Sequence, residues 1–370
     1  MTDAQHTMPT IDLPKLGQSV SRFALGGFHQ LEITTDVVAE VVDTYLACGG
    51  TYIETARGYG KGASEEKLGR ALEGRRDQVV LVSKSGAATA DDIRRDLERS
   101  LKALRTDRLD IYFFHGATPD KLDRLTATGG AVEGLTRAID EGILGGMGLS
   151  SHVPPAYLMA LERIDLAVIL IWCNYLDNLN FPIIPERIIP DARRRGVGVT
   201  AMKPLADGML WQSADRAVRC CMAAGTDVVV CGTNSPAQVR QIAAAVAAGP
   251  ADEALRDEVL RTAPELGRYV CRRCGRCPAA VMDTFRLEGE FDRQLADYLP
   301  HDPADYALRQ RLCGWFGRAD DARAAFADAG YELDALLQAA DGVTCPYAID
   351  IPRKLRLATA KLTDGAPERV

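Results

Sequence analysis

Acid–base chemistry is indicated by four residues placed at the ends of three successive apolar segments. Glu54 and Tyr59 lie five positions apart where one segment ends, and Lys84 and His115 end the next two. A phenol can donate a proton as a general acid, and a nearby ammonium makes the phenol more acidic by favouring its anion. Parallel strands in a barrel would bring these ends to one face. The spacing therefore predicts a proton-transferring active site.

Apolar segments and amphipathic helices alternate between residues 23 and 248, after a short hairpin within residues 10–30. The segments are uniformly apolar, which is typical of parallel strands buried on both faces. A doubly wound open sheet would give similar local patterns, but eight strand–helix units favour an α/β fold of the (β/α)8 TIM barrel type. No Gly-x-Gly-x-x-Gly follows the first strand, which argues against a Rossmann domain.

The length of 370 residues suits one large domain and a smaller one. We expect the barrel to occupy residues 1–262. We expect a small, mainly helical, cysteine-rich extension over residues 263–370. Five of the ten cysteines fall in this last part of the chain.

The overall charge excludes some partners. The formal net charge is −7 at pH 7 and the pI is about 5.4, which favours neither nucleic acid nor an anionic membrane surface. The longest apolar run, residues 166–173, is too short to span a bilayer. The first residues show no basic region followed by an apolar core, so we expect a cytoplasmic protein with reduced or metal-bound cysteines.

The segment from Glu54 to Gly69 resembles the signature of the aldo-keto reductase superfamily, Asp-x-Ala-x-x-x-Tyr-Gly followed by Ser-Glu-x-x-Leu-Gly. The resemblance covers roughly residues 15–247. It implies that Tyr59 is the general acid, that Lys84 lowers the pKa of Tyr59, and that His115 polarises and orients the carbonyl. The acidic residue would hold Lys84 through a buried ion pair, and here it is Glu54 where the family has Asp. The expected function is NAD(P)H-dependent interconversion of a carbonyl and an alcohol on a small molecule.

The same resemblance implies a nicotinamide cofactor, NADP or NAD, laid over the barrel mouth. Two serines would meet the carboxamide, a methionine would cover the nicotinamide ring, and the turn before the last helix would bind phosphate. A glutamine stands where the family often has an arginine for the 2′-phosphate. The residues expected around the cofactor are Ser150, Ser151, Met202, Lys203, Gly232, Thr233, Asn234 and Gln238.

Three cysteines at two-residue gaps, Cys271, Cys274 and Cys277, match the first three positions of the bacterial ferredoxin pattern. Cys345, followed by proline, is of the kind that supplies the fourth ligand. This tail resembles the ferredoxin-like extension of a subgroup of aldo-keto reductases, although about 67 residues separate the triplet from Cys345. The set predicts one [4Fe–4S] cluster. Zinc also takes four cysteines, but a tight triplet with Cys-Pro favours iron–sulfur. Cys313 is an alternative ligand, but its apolar setting favours a buried thiol.

A second function is compatible with the sequence. The barrel could be a scaffold or regulator, with the iron–sulfur cluster serving electron transfer or redox sensing toward a redox partner protein. Departures from common family residues at Glu54, Met202 and Gln238 favour this alternative. Three arginines among the cysteines would offset the charge of the cluster and raise its potential, namely Arg272, Arg273 and Arg276.

Overall fold

The protein is represented by a computed structural model that describes residues 8–293 and 319–363. Over this range the chain divides into two compact units. The first holds residues up to 174 with 183–205 and 214–251, and the second holds 175–182, 206–213 and the residues from 252 onward. The domain boundary expected at residue 262 stays a prediction. The alternative ligand Cys313 lies outside the described residues.

Eight parallel strands close into a barrel in the first unit, which confirms the expected fold class. Each barrel strand pairs with its neighbours in the chain, and the last pairs with the first, with Val229 opposite Phe23. An antiparallel hairpin precedes the barrel. The hairpin strands are β1 (Thr10–Leu13) and β2 (Gln18–Ser21), and the barrel strands are β3 (Phe23–Gly26), β4 (Tyr52–Glu54), β5 (Val80–Ser85), β6 (Leu109–Phe114), β7 (Leu144–Ser150), β8 (Val168–Trp172), β9 (Gly198–Met202) and β10 (Val228–Gly232).

Helices follow the barrel strands along the chain and then make up most of the second unit. The α-helices in the part of the chain described are α1 (Thr35–Ala47), α2 (Ala63–Ala71), α3 (Ala90–Leu104), α4 (Pro119–Thr126), α5 (Ala131–Asp140), α6 (Pro154–Arg163), α7 (Tyr175–Asn180), α8 (Ile189–Arg194), α9 (Ala214–Ala223), α10 (Pro236–Ala247), α11 (Glu253–Thr262), α12 (Ala279–Arg293), α13 (Ala319–Ala329), α14 (Leu333–Ala339) and α15 (Ile351–Thr363). Three of them, α4, α7 and α15, were not predicted from the sequence.

The barrel interior is filled by apolar side chains of the strands, which are buried on both faces as the sequence pattern requires. Leu13 and Val20 of the hairpin belong to the same buried cluster as the inward residues of the strands. A Cβ added at Gly198, the first residue of β9, would lie 2.8 Å from Leu13. The hairpin therefore closes the amino-terminal end of the barrel, and the carboxyl ends of the strands form the open mouth.

The second unit has its own helical core, which confirms the expected helical C-terminal region. Phe285 of α12 and Leu355 of α15 lie in one buried apolar cluster. At the end of α12, Arg293 is 4% exposed and forms ion pairs with Asp177, at 2.7 Å, and with Asp207, at 3.0 Å. Two segments that follow β8 and β9 are thereby bound to the C-terminal helices of this unit. In residues 8–293 and 319–363 no helix is long and apolar enough to cross a membrane.

Candidate active site and cysteine pocket

A buried ion pair lies at the carboxyl ends of β4 and β5. Glu54 is the last residue of β4. It is paired with Val82 of β5, so Lys84 lies two residues further along the neighbouring strand. The ammonium of Lys84 contacts the carboxylate of Glu54 and donates to the carbonyl oxygen of Thr55 at 2.9 Å. Lys84 is 1% exposed, and this burial lowers its pKa. The glutamate found in place of the family's aspartate thus still reaches the lysine.

Tyr59 and His115 join this pair at the mouth of the barrel. The Nζ atom of Lys84 lies 4.7 Å from the ring centroid of Tyr59. The rings of Tyr59 and His115 meet edge to face, with centroids 5.9 Å apart, and Phe28 packs on Tyr59 at 5.0 Å. The four residues that the sequence predicted for acid–base chemistry therefore occupy one site.

The protonation of this site differs from the sequence expectation in one respect. Burial raises the pKa of the Tyr59 phenol, whereas Lys84 was expected to lower it. The reason is that burial removes the phenolate from water, which disfavours the charged form. Burial, with a smaller contribution from the charge of Lys84, lowers the pKa of His115 to about 3. At neutral pH Tyr59 is protonated and His115 is uncharged.

A second buried network, which was not predicted from the sequence, holds the loop that carries Tyr59. Glu65, which is fully buried, accepts from Arg57 at 2.6 Å and from the hydroxyl of Ser83 at 2.6 Å. The backbone N–H of Arg57 also donates to the carbonyl of Lys84 at 2.9 Å. Gly62 makes room for this arrangement, because its φ is +100° and an added Cβ would lie 2.1 Å from the Arg57 guanidinium. The Ser-Glu pair of the signature segment was the sequence feature that could have indicated this network.

The two serines expected at the carboxamide differ in their hydrogen bonding. Ser150, the last residue of β7, is buried, and its hydroxyl has no hydrogen-bond partner within the described residues. Ser151 donates to the carbonyl of Ala117 at 2.6 Å and accepts from the N–H of Val153 at 2.9 Å. Ser150 therefore retains a hydroxyl for a ligand, whereas Ser151 holds the loop after β7.

Met202 and Lys203 lie where β9 ends at the barrel mouth. Met202 is half-buried and packs against the apolar cluster of the barrel. Lys203 has a left-handed backbone with φ +57°, and its carbonyl accepts from the side chain of Asn174 at 2.9 Å. The turn at this strand end is thus fixed by a buried asparagine, and Met202 presents a soft side chain at the mouth.

Polar groups of the turn after β10 form hydrogen bonds within the protein, although this turn was expected to bind phosphate. The N–H of Asn234 was expected to be available to phosphate, but it donates to the side-chain oxygen of Gln238 at 2.8 Å. The amide of Asn234 donates to Glu32 at 3.0 Å, and Ser235 caps α10 by accepting from the N–H of Gln238 at 3.4 Å. A ligand phosphate would have to replace the Gln238 contact. The buried hydroxyl of Thr233 has no hydrogen-bond partner among residues 8–293 and 319–363.

Gly232, the last residue of β10, allows a close approach of another side chain. A Cβ added there would lie 1.9 Å from the His29 ring. Seven of the eight expected cofactor residues lie at a strand end of the first unit or directly after it, and Gln238 lies in the first turn of α10.

The four cysteines predicted as ligands line one pocket of the second unit. Cys345 comes to the triplet of Cys271, Cys274 and Cys277 although many residues intervene in the chain. Burial raises the pKa of Cys277 to about 11, and the neighbouring thiols add to this effect. In the described residues no group of three or more His, Cys, Asp or Glu side chains is arranged to hold a metal ion.

The arginines of the triplet have different roles. The guanidinium of Arg272 is buried and donates to the carbonyls of Leu266, at 3.1 Å, and Gly267, at 2.6 Å. It therefore organises the loop before the cysteines. Its charge also interacts with the thiols of Cys345 and Cys271, so its expected role in offsetting cluster charge stays a prediction. Arg273 and Arg276 are exposed.

A parallel eight-stranded barrel with a tyrosine, a lysine, a carboxylate and a histidine at its mouth is the arrangement that the family resemblance implied. The model of the aldo/keto reductase family matches residues 23–256, and the chain belongs to this family. It is similar to an uncharacterized oxidoreductase from Bacillus subtilis, with 28% identity over 212 residues, which are 53% of this chain and 65% of that protein. The chain thus spans just under two thirds of that relative's length.

Solved structures show the same fold. An aldo-keto reductase from Bacillus halodurans in its holo form is similar with a TM-score of 0.60 at 24% identity, over 68% of this chain and 95% of that one. An aldo-keto reductase from Klebsiella pneumoniae in complex with NADPH is similar with a TM-score of 0.55 at 25% identity, over 69% of this chain and 95% of that one.

Proposed function

We propose that the protein is an NAD(P)H-dependent oxidoreductase that interconverts a carbonyl and an alcohol, with Tyr59 as the proton donor. One observation carries the proposal: the Lys84 ammonium, paired with buried Glu54, lies 4.7 Å from the centre of the Tyr59 ring, beside His115. Membership of the aldo/keto reductase family supports the reaction class.

The residues of the site can carry the proton side of this reaction. A bound dihydronicotinamide supplies a hydride to the carbonyl carbon. Tyr59 gives its proton to the carbonyl oxygen, which yields the alcohol and a tyrosinate that regains a proton from solvent. The raised pKa of Tyr59 keeps the proton on the phenol until the oxygen becomes strongly basic. The Lys84 ammonium stabilises the tyrosinate, and neutral His115 can donate an N–H to the carbonyl oxygen.

The chain has groups suited to a nicotinamide nucleotide, NADP or NAD. The hydroxyl of Ser150 is buried without a partner in the described chain and suits the carboxamide, which is both donor and acceptor. Thr233 offers a second such hydroxyl after β10. The similar Klebsiella pneumoniae reductase is described in complex with NADPH. These hydroxyls can replace hydrogen bonds that the cofactor makes with water in solution.

Cys271, Cys274, Cys277 and Cys345 would hold one [4Fe–4S] cluster, which supplies one-electron transfer when bound. All four candidate ligands are thiols, which suits an iron–sulfur cluster. A single zinc ion also takes four cysteines. The tight sequence spacing of the triplet, together with the Cys-Pro at Cys345, favours the cluster over zinc.

Turnover of Tyr59→Phe tests the reductase. The variant should bind NADPH or NADH unchanged but lose about 10²- to 10⁴-fold in kcat with aldehydes and ketones, which is the contribution of a general acid. Tyr331→Phe is the matched control, because Tyr331 donates to Asp283 in the second unit. If the wild-type protein binds neither NADPH nor NADH in a fluorescence titration, the proposal is wrong.

Iron and sulfide analysis of anaerobically purified protein, with absorption and electron paramagnetic resonance spectra, tests the cluster. About four irons and four sulfides per chain are expected. One zinc and no sulfide would refute the cluster. A redox-active cluster with no carbonyl turnover would instead support the scaffold alternative, in which the cluster serves electron transfer or redox sensing.

A further inference from the structure

The surface beside the cysteine triplet is basic in a chain that is acidic overall. Residues 266–282 contain four arginines and no Asp or Glu, although the whole chain has a formal net charge of −7. Arg272 is buried in this stretch, but Arg268, Arg273 and Arg276 are exposed. We call these three exposed residues the arginine rim. Its charge has the opposite sign to that of the chain.

Two arginines of the rim lack an acidic partner that many arginines on the surface of the barrel have. Arg105, for example, pairs with Glu73, and Arg163 pairs with Asp123. Arg268 and Arg276 have no ion pair with any described residue. Exposed basic groups attract acidic molecules and raise their rate of association.

The rim also borders the most accessible part of the cysteine pocket. Arg276 lines the pocket, and Cys274, two residues before it, is the exposed member of the four thiols. Tyr269, beside Arg268, is 39% exposed. Arginine and tyrosine are enriched at protein interfaces, whereas Lys, Glu and Asp are depleted. Charge, composition and access to the pocket therefore coincide at one place.

We propose that the arginine rim docks an acidic one-electron carrier protein, which exchanges an electron with the cluster near Cys274. This proposal rests on the [4Fe–4S] cluster proposed above. With a cluster held by the four cysteines, one electron would pass from the reduced carrier to the oxidised cluster, whose charge would become more negative by one. No bond breaks and no proton moves, so the carrier and the cluster alone balance the step.

Stopped-flow reduction of the full-length, cluster-loaded protein by a reduced acidic plant-type ferredoxin tests the rim. The variant R268Q/R273Q/R276Q should react about tenfold more slowly at low ionic strength, because steering charges are lost. The difference should vanish in about 0.5 M salt, where charges are screened. The control R70Q/R124Q/R137Q removes three exposed barrel arginines and should react like wild type.

Two readouts separate the rival explanations. If the rim serves only to offset cluster charge, the triple variant will show a lower midpoint potential with an unchanged association rate, which overturns docking. Reduction by the methyl viologen radical, a small cation, should not slow in the triple variant. Iron and sulfide content is measured on every sample. If the wild type and the triple variant react at equal rates with the cluster loaded, docking at the rim is wrong but the cluster proposal stands. If the protein contains no iron, both proposals are wrong.

Discussion

Replacing Glu54 with Gln removes the charge partner of a buried ammonium. Lys84 is 1% exposed, and its ammonium would keep the carbonyl of Thr55 but lose the carboxylate. Removing one partner of a buried ion pair costs about 3–5 kcal/mol, because the other charge stays desolvated. Deprotonating a lysine of ordinary pKa, about 10.4, costs about 4.6 kcal/mol at pH 7. The second value is an upper limit, since burial already lowers the pKa of Lys84.

We therefore expect Glu54→Gln to lower the free energy of unfolding by about 4 kcal/mol. Urea denaturation followed by circular dichroism at pH 7 measures this quantity. Glu54→Asp is the matched control, because it keeps the charge and should lose far less. The double variant Glu54→Gln, Lys84→Met should recover much of the stability, since no buried charge remains unpaired. A loss below about 1 kcal/mol in Glu54→Gln would refute this view of the pair.

Three other changes test separate parts of the structure. Burial lowers the pKa of His115 to about 3, so between pH 6.5 and 3 the unfolded chain binds more protons than the folded chain. Each fall of one pH unit in this range should therefore lower the free energy of unfolding by up to about 1.4 kcal/mol. Urea titrations over that range should show a shallower decline for His115→Gln, and parallel curves would contradict it. Cys345→Ala should lose the iron absorption that Cys48→Ala retains, and equal iron contents would exclude Cys345 as a ligand. Gly62→Ala should lower the melting temperature, because Gly62 has φ +100° and an added Cβ would clash with an arginine side chain. Gly58→Ala is the control, since a Cβ there would meet open space. Equal melting temperatures for the two variants would argue against strain at Gly62.

The barrel could be predicted because its strands have an unambiguous local pattern. Strands buried on both faces must be apolar throughout, and β5, β6 and β10 were recognised on that basis. Parallel pairing then brings consecutive strand ends together, which is why Lys84 and His115 were expected beside Tyr59. The direction of the Tyr59 pKa shift was not predictable, because desolvation depends on the packing of residues such as Phe28.

Contacts between distant parts of the chain account for what the sequence analysis missed. Arg293 and Asp177 are 116 positions apart, and nothing local to either residue indicates the pair. The short helix α7 and the contact of Gln238 with Asn234 depend in the same way on tertiary packing. The four cysteines were predicted to come together because their spacing resembles a known motif. Such a motif indicates which distant residues act together, whereas hydrophobic periodicity indicates only local structure.

The ion pairs of Arg293 with Asp177 and Asp207 have a consequence for gene architecture. A shortened gene that stops after α11 would leave two carboxylates without their shared cation, so such a chain should be poorly stable when expressed alone. We expect relatives that end soon after the eighth strand to lack this pair of aspartates. Aspartates at both, together with a cysteine triplet further on, would therefore mark the homologues that share this arrangement.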